Sequence, residues 1–211
     1  MNAITNMEEL PADLSRFIPE QKIGQSNDTF SHLALNDRND ADKLFKEIKK
    51  RLLNINQWNE YATLTNARFT LIDGSGNAIS RLAAIGDYVK VVFWVCRSLF
   101  PKSEEHVHIG QITSLKHGGM DVVIMKVYPC ADPTHNKQEV AHFFNDEASN
   151  TFLLYRTTTH IQLSIHGRNE IPNTGSGRIR KKIRNLIFAV LAVAGISKIQ
   201  WKSLAHGLLH F

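Results

Sequence analysis

Cysteine is nearly absent from this chain: there are two in 211 residues, Cys96 and Cys130. So few cannot build a disulfide framework for a chain this long, and each lies in an apolar run where a reduced thiol packs as a small hydrophobe. Long hydrophobic runs are missing as well. The longest, Leu186 to Ile196 (LIFAVLAVAGI), has eleven residues before Ser197 and Lys198 close it, whereas a bilayer span needs about twenty. It reads as a buried core helix, with membrane insertion as the alternative. Met1 to Leu14 carries Glu8, Glu9 and Asp13 and has neither a basic n-region nor an apolar h-region, so no secretory signal is expected and the default location is the cytoplasm. Catalytic and cofactor signatures are also lacking. There is no G-x-S-x-G, neither cysteine has a histidine beside it in sequence, and Gly175-Ser176-Gly177 is not followed by the Gly-Lys-Ser/Thr that a P-loop requires. No cofactor is expected.

Charge of one sign is not in large excess. Twenty-five Lys and Arg against twenty Asp and Glu leave +5 and a pI near 9.2, modest for a dedicated nucleic-acid binder. What is present is an ordinary globular mixture, 43% hydrophobic and 21% charged, which supports a sizeable core. No repeat, low-complexity stretch or linker divides the chain. The expected organisation is an N-terminal arm over residues 1–28, partly ordered on the surface, and a single α+β domain over residues 29–211.

Periodicity supplies the elements. Thr29 to Leu35 alternates and predicts a strand. After the turn cluster Asn36 to Asp40, Ala41, Leu44, Phe45, Ile48, Leu52 and Ile55 recur at helical steps, and Trp58 marks a second short helix or a corner with an aromatic plug. Phe69 and Leu71, the turn Asp73 to Asn77 and Ile79 to Leu82 predict a hairpin. Val89, Val91, Phe93 and Val95 share one face of the next strand. His106 to Ile112, Asp121 to Tyr128, Thr151 to Thr157 and His160 to Ile165 are further strands, with Lys116 to Gly119 as one turn and a short helix around Gln138 to Phe144 in the polar insert. Such connections favour antiparallel pairing. Ile179, Ile183, Leu186, Ile187, Val190 and Val193 then form a broad helical stripe, and Ser197 with Gln200 caps a second helix. The two C-terminal helices are expected over 177–195 and 198–209.

This order resembles the helix-grip fold of START-like and polyketide-cyclase-like proteins over roughly residues 29–197. The resemblance is carried by LLNINQWNEYATLTNARFTLIDGSGNAISRLAAIGDYVKV from Leu52 to Val91, with its corner tryptophan, the Gly74 and Gly76 turn and the Gly86-Asp87 strand opening. The insert at 131–150 and the helix after Ser197 depart from that pattern. The chain is also similar to bacterial proteins that share the HGRNE segment at His166 to Glu170. The resemblance implies a curved antiparallel sheet of six to seven strands packed on a long C-terminal helix, with a cavity between them.

The walls of that cavity would come from Trp58, Phe69, Trp94, Met125 and Tyr155, with Leu186 and Val190 from the helix. The alternative is that these side chains fill the core completely. His166, Arg168 and Glu170 are expected at the pocket mouth, against a loop in which Arg168 and Glu170 pair locally. His106-x-His108 puts two imidazoles on one strand face, yet no nearby carboxylate or cysteine completes a ligand set, so no metal is expected. Arg178, Arg180, Lys181, Lys182 and Arg184 crowd a helix start, where cations oppose the dipole. They are either solvated or an anion site for a phosphate-bearing ligand or weak contact with an anionic membrane. Nucleic acid is not expected, because no stacking aromatics interleave with them. The expected function is a non-enzymatic binding module for an apolar or lipid-like small molecule. An enzyme of cyclase, dehydratase or hydrolase type using the same cavity, and a peripheral membrane or protein-interaction domain, are the alternatives.

Overall fold

The first long helix begins where a carboxylate meets free backbone amides: Asp37 Oδ1 accepts from Asn39 N at 2.7 Å and Asp40 N at 2.9 Å, an N-cap three residues earlier than the turn cluster suggests. In this computed structural model, residues 9–62, 67–93, 104–134, 147–171 and 201–211 are described. The elements are α1 (Ala12–Ser15), β1 (Gln25–Ala34), α2 (Arg38–Leu53), a 3-10 turn (Ile55–Gln57), α3 (Trp58–Tyr61), β2 (Ala67–Ile72), β3 (Tyr88–Phe93), β4 (Glu104–His117), β5 (Met120–Cys130), β6 (Ser149–Arg156) and β7 (His160–Glu170). Residues 201–210 are helical. The expected long helix through Ile179 to Val193 and the one around Gln138 to Phe144 lie outside the described residues.

All seven strands form one antiparallel sheet in the order β1-β7-β6-β5-β4-β3-β2. Strands β1 and β2 follow each other in sequence but stand at opposite edges, so α2, the 3-10 turn and α3 carry the chain across one face. The C-terminal helix packs on that same face through Leu204, Ala205 and Leu208. Sheet, crossing helices and C-terminal helix make the α+β, helix-grip arrangement.

Alternation along the strands separates the two faces. On the inner face, under the helices, Val123, Met125, Val127, Phe152, Leu154, Ile161, Leu163 and Ile165 join Phe45, Ile48, Leu52, Trp58 and Phe69 in the main core. Their neighbours Val122, Ile124, Leu153 and Tyr155 face outward, where Leu14 covers them with Leu10 and Phe17. The N-terminal segment therefore contributes a buried leucine.

An aromatic group joins the layers. Trp58 lies 5.4 Å from Phe69 and 5.3 Å from Phe152, and Trp201 lies 5.4 Å from Phe152, between ring centroids. Trp58 Nε1 donates to Leu52 O at 3.1 Å, so this buried indole is satisfied as well as packed. Gly207 permits the C-terminal helix to approach α3 closely, because a Cβ there would fall on the Tyr61 carbonyl. Arg156, buried at the end of β6, bridges Asp42 of α2 at 3.1 Å and Asp121 of β5, and so ties the crossing helix to the sheet.

Three segments differ from the sequence expectation. The hairpin predicted through Ile79 to Leu82 is a single bridge, Ile72 to Ala78; the ladder partner of β2 is β3. Side chains take the place of a second strand along that edge. Asn59 donates to Phe69 O at 2.9 Å and accepts from Phe69 N at 2.8 Å, while Asn56 accepts from Leu71 N at 2.9 Å and donates to Ile79 O at 2.8 Å. Strand β1 starts at Gln25 rather than Thr29, since an edge strand tolerates the polar Gln-Ser-Asn-Asp run. That early half holds β7 extended to Glu170, so HGRNE is strand and not loop.

Candidate functional site

Three cross-strand rows on the inner face run from apolar to polar. Val123, Leu154, Leu163 and Ser31 form one, and Met125, Phe152, Ile165 and Thr29 the next. The third is Val127, Asn150, Gly167 and Asn27. Residues facing each other across such a ladder sit within about 5.5 Å at Cβ, so a row is a contiguous surface.

A bulge adds a carboxyl to this polar row. Gln25 pairs with Glu170 and Asn27 with Gly167, so Arg168 and Asn169 together stand against Ser26. Asn169 takes the left-handed conformation, φ 56°, which asparagine tolerates better than most residues. Its side chain accepts from Lys22 N at 2.8 Å and Ile23 N at 3.2 Å, pinning the bulge to the N-terminal segment. The extra residue reverses the parity of the strand. Glu170, which regular alternation would point outward, shares the inner face with Gly167. Its carboxyl occupies the space a Gly167 side chain would fill, and Asn150 Oδ1 is 3.4 Å from that same point.

These groups are buried. Glu170 is 8% exposed, and no described residue donates a hydrogen bond to its carboxyl. Burial pushes that carboxyl up to about 7 against a weaker opposing pull from Arg168. Asn27 Oδ1 and Asn150 Oδ1 are buried without a partner, and so is Trp201 Nε1 beside Phe152. The apolar part of the face is fully covered, with Met125 and Phe152 0% and Ile165 1% exposed.

The outer face carries a different arrangement from the same segment. His166 Nδ1 lies 2.6 Å from Asp28 Oδ1, His166 Nε2 lies 2.8 Å from Ser164 Oγ, and Arg168 donates to Asp28 at 2.7 Å. Burial alone would raise the Asp28 carboxyl, but the hydrogen bonds from His166 and Arg168 outweigh it and hold it near 2. The order Asp-His-Ser is that of a hydrolase triad, and the exposure is reversed. A nucleophile has to meet substrate while the aspartate is shielded, yet here Ser164 is 0% exposed and the Asp28 side chain 40%. The chain of bonds stitches β1 to β7.

The structure brings Trp58, Phe69 and Met125 of the expected wall together on the inner face. Tyr155 is on the other side of the sheet, bonded to Gln162 at 3.1 Å, because strand alternation separates it from Phe152 and Leu154. Trp94, Leu186 and Val190 lie outside the described residues, as do Arg178, Arg180, Lys181 and Lys182. Of the pocket-mouth residues, only Glu170 faces inward; His166 and Arg168 face outward, and Arg168 pairs with Asp28 rather than with Glu170. Sequence reasoning missed Asn27, Asn150 and Asp28, and it placed Trp201 in a helix without assigning it to a site. The ring of His108 lies tilted against Tyr88, 5.2 Å between centroids, and His106 pairs across the ladder with Cys130; among the described residues no three His, Cys, Asp or Glu side chains converge on a common point. Cys130 is a free thiol, pushed up to about 12 by burial and by the nearby charges of Glu105 and Asp132, hence a poor nucleophile. Among the described residues no helix is long and apolar enough to cross a membrane.

No protein-family model matches the chain, and no curated protein matches it. Solved structures similar to it include a hypothetical protein, jhp0584, of Helicobacter pylori, with 10% identity, 97% of this chain and 98% of that one covered, and a TM-score of 0.47. Norcoclaurine synthase of Thalictrum flavum matches at 9% identity, covering 92% and 99%, with a TM-score of 0.38. A START superfamily protein of Mycobacterium smegmatis matches at 10% identity, covering 83% and 97%, with a TM-score of 0.34. The site stands on its own geometry.

Proposed function

We propose that this protein is a binding module for an apolar or lipid-like small molecule, held between the inner face of the sheet and the C-terminal helix. One observation carries the proposal: the inner face ends in a row whose Asn27 and Asn150 oxygens are buried without partners, with the buried Glu170 carboxyl beside Asn150 over Gly167. Buried polar groups are normally satisfied, since each orphan costs about 1–3 kcal/mol. A ligand with an apolar body and a polar end would cover both kinds of surface. Native mass spectrometry of freshly purified protein tests this. A co-purifying mass that leaves on organic extraction, and a thermal stability that falls on its removal, are the expected results. A single apo mass, together with a structure whose inner face is filled by the chain's own side chains, would reject the reading.

An enzyme working in the same space is the second reading, and Glu170 is its support. A carboxyl raised to about 7 is poised to give or take a proton at neutral pH. In a binding module Glu170→Gln alters ligand selectivity alone. In an enzyme the same variant abolishes turnover of the ligand recovered by mass spectrometry while that ligand still binds.

A further inference from the structure

The C-terminal helix packs by one face and carries a histidine pair on another. Leu204, Ala205, Leu208 and Leu209 are buried in the core, and Gly207 brings the helix backbone against the Tyr61 carbonyl. His206 and His210 are left exposed. Four residues apart on a helix, they stand one turn above the other, and their rings stack with centroids 4.3 Å apart and 29° between their planes.

His210 is also tethered. Its ring is hydrogen-bonded to the backbone of His32 on the edge strand β1, a bond that favours the charged ring, so the imidazole N–H donates and a carbonyl accepts. That bond fixes the tautomer and leaves the other ring nitrogen with its lone pair. Histidines that ligate metals are commonly oriented in this way, through the nitrogen remote from the ion. Burial, and after it the charges of His206 and His32, favours the neutral imidazole at His210, which is the form that ligates.

We propose that His206 and His210 form a two-histidine site for a divalent ion of the zinc, copper and nickel class, with water in its remaining positions. A zinc–imidazole bond is about 2.0–2.1 Å, so a rotation of the exposed His206 ring brings both lone pairs onto one ion. Among the described residues no third His, Cys, Asp or Glu completes the set, which is why water is needed. Both ligands sit on adjacent turns of a helix already held by the core, so binding orders little else. Imidazole suits zinc, copper and nickel, whereas magnesium and calcium take oxygen ligands.

Isothermal titration calorimetry of the full chain with Zn²⁺, Cu²⁺ and Mg²⁺ tests the proposal, with His206→Gln, His210→Gln and His108→Gln as variants. One tight equivalent of Zn²⁺ or of Cu²⁺ is expected, Cu²⁺ the tighter of the two, and no binding of Mg²⁺. His206→Gln and His210→Gln should each weaken both ions by more than the roughly tenfold that a change beside a metal ligand costs, while His108→Gln leaves them unchanged. If either variant fails to fold, proton NMR of the histidine rings in the parent chain serves in its place, and Zn²⁺ should shift two ring signals ahead of the other eight. Silence toward both Zn²⁺ and Cu²⁺, binding that survives the loss of His206 and His210, or ring signals that all shift together would overturn it.

Discussion

Glu170 lays its carboxyl over the bare Cα of Gly167, three residues back along the same strand, and Asn150 flanks them from the next strand. The pair exists because Asn169 bulges. Everything assigned to the inner face as a site depends on this local reversal.

Glu170 has its folded pKa raised from 4.5 to about 7, so folding favours the protonated form. The stability is fully present below pH 4.5 and is lost as pH rises through 7. Glu170→Gln should match the parent near pH 4 and exceed it at pH 8 by up to ~3 kcal/mol. Urea denaturation at the two pH values checks this; equal differences at both would mean the carboxyl is solvated.

Asp28 behaves oppositely. Its folded pKa near 2 lies below the ordinary 3.8, so its contribution is present above pH 4 and disappears as pH falls toward 2. The side chain is partly exposed, and screening reduces the effect to the order of 1 kcal/mol. Asp28→Asn should lower stability at pH 7 and flatten the acid limb of the stability curve, as followed by circular dichroism.

Arg156 is buried between Asp42 and Asp121. Truncation in Arg156→Ala leaves carboxylates without their cation and should cost ~3 kcal/mol. Amide exchange should then accelerate in α2, which the arginine anchors. A loss under ~1 kcal/mol would place the pair among the weak surface contacts.

Asn56 and Asn59 serve as the missing neighbour of the edge strand β2. Replacing Asn59 by Ala unpairs the Phe69 amide and carbonyl together and should cost about 1–3 kcal/mol. Faster hydrogen exchange at Phe69 than at Leu71 is the specific signature. A uniform change along β2 would argue against a local cap.

Much of the architecture was legible in the sequence. The period-two segments around Val123 and Leu154 and the helical spacing from Ala41 to Leu52 give strands and a helix whose apolar positions do meet in one core. Where that spacing breaks, Trp58 reads as a short second helix or a corner plug; it opens α3 and packs in the core. Errors came where a side chain replaced backbone. The hairpin stops at Ile79, whose N–H donates to Leu71 O at 3.0 Å, and the side chains of Asn56 and Asn59, remote from it in sequence, bond the rest of the edge. The site was half legible. Two features mark HGRNE: a glycine inside a strand, which signals a bulge or close approach, and an asparagine suited to positive φ. Local sequence carries no parity for the residue after a bulge, so His166, Arg168 and Glu170 were grouped although they divide between two faces. Tyr155 differs for the converse reason, as strict alternation sends it outward. Asn27 and Asn150 gave no signal alone, because their meaning arises from the register across β1, β7 and β6.

The most direct test of the account is a carbon-13 NMR titration of the Glu170 carboxyl in the purified protein. The account predicts a midpoint near 7. A midpoint in the ordinary carboxylate range would contradict it.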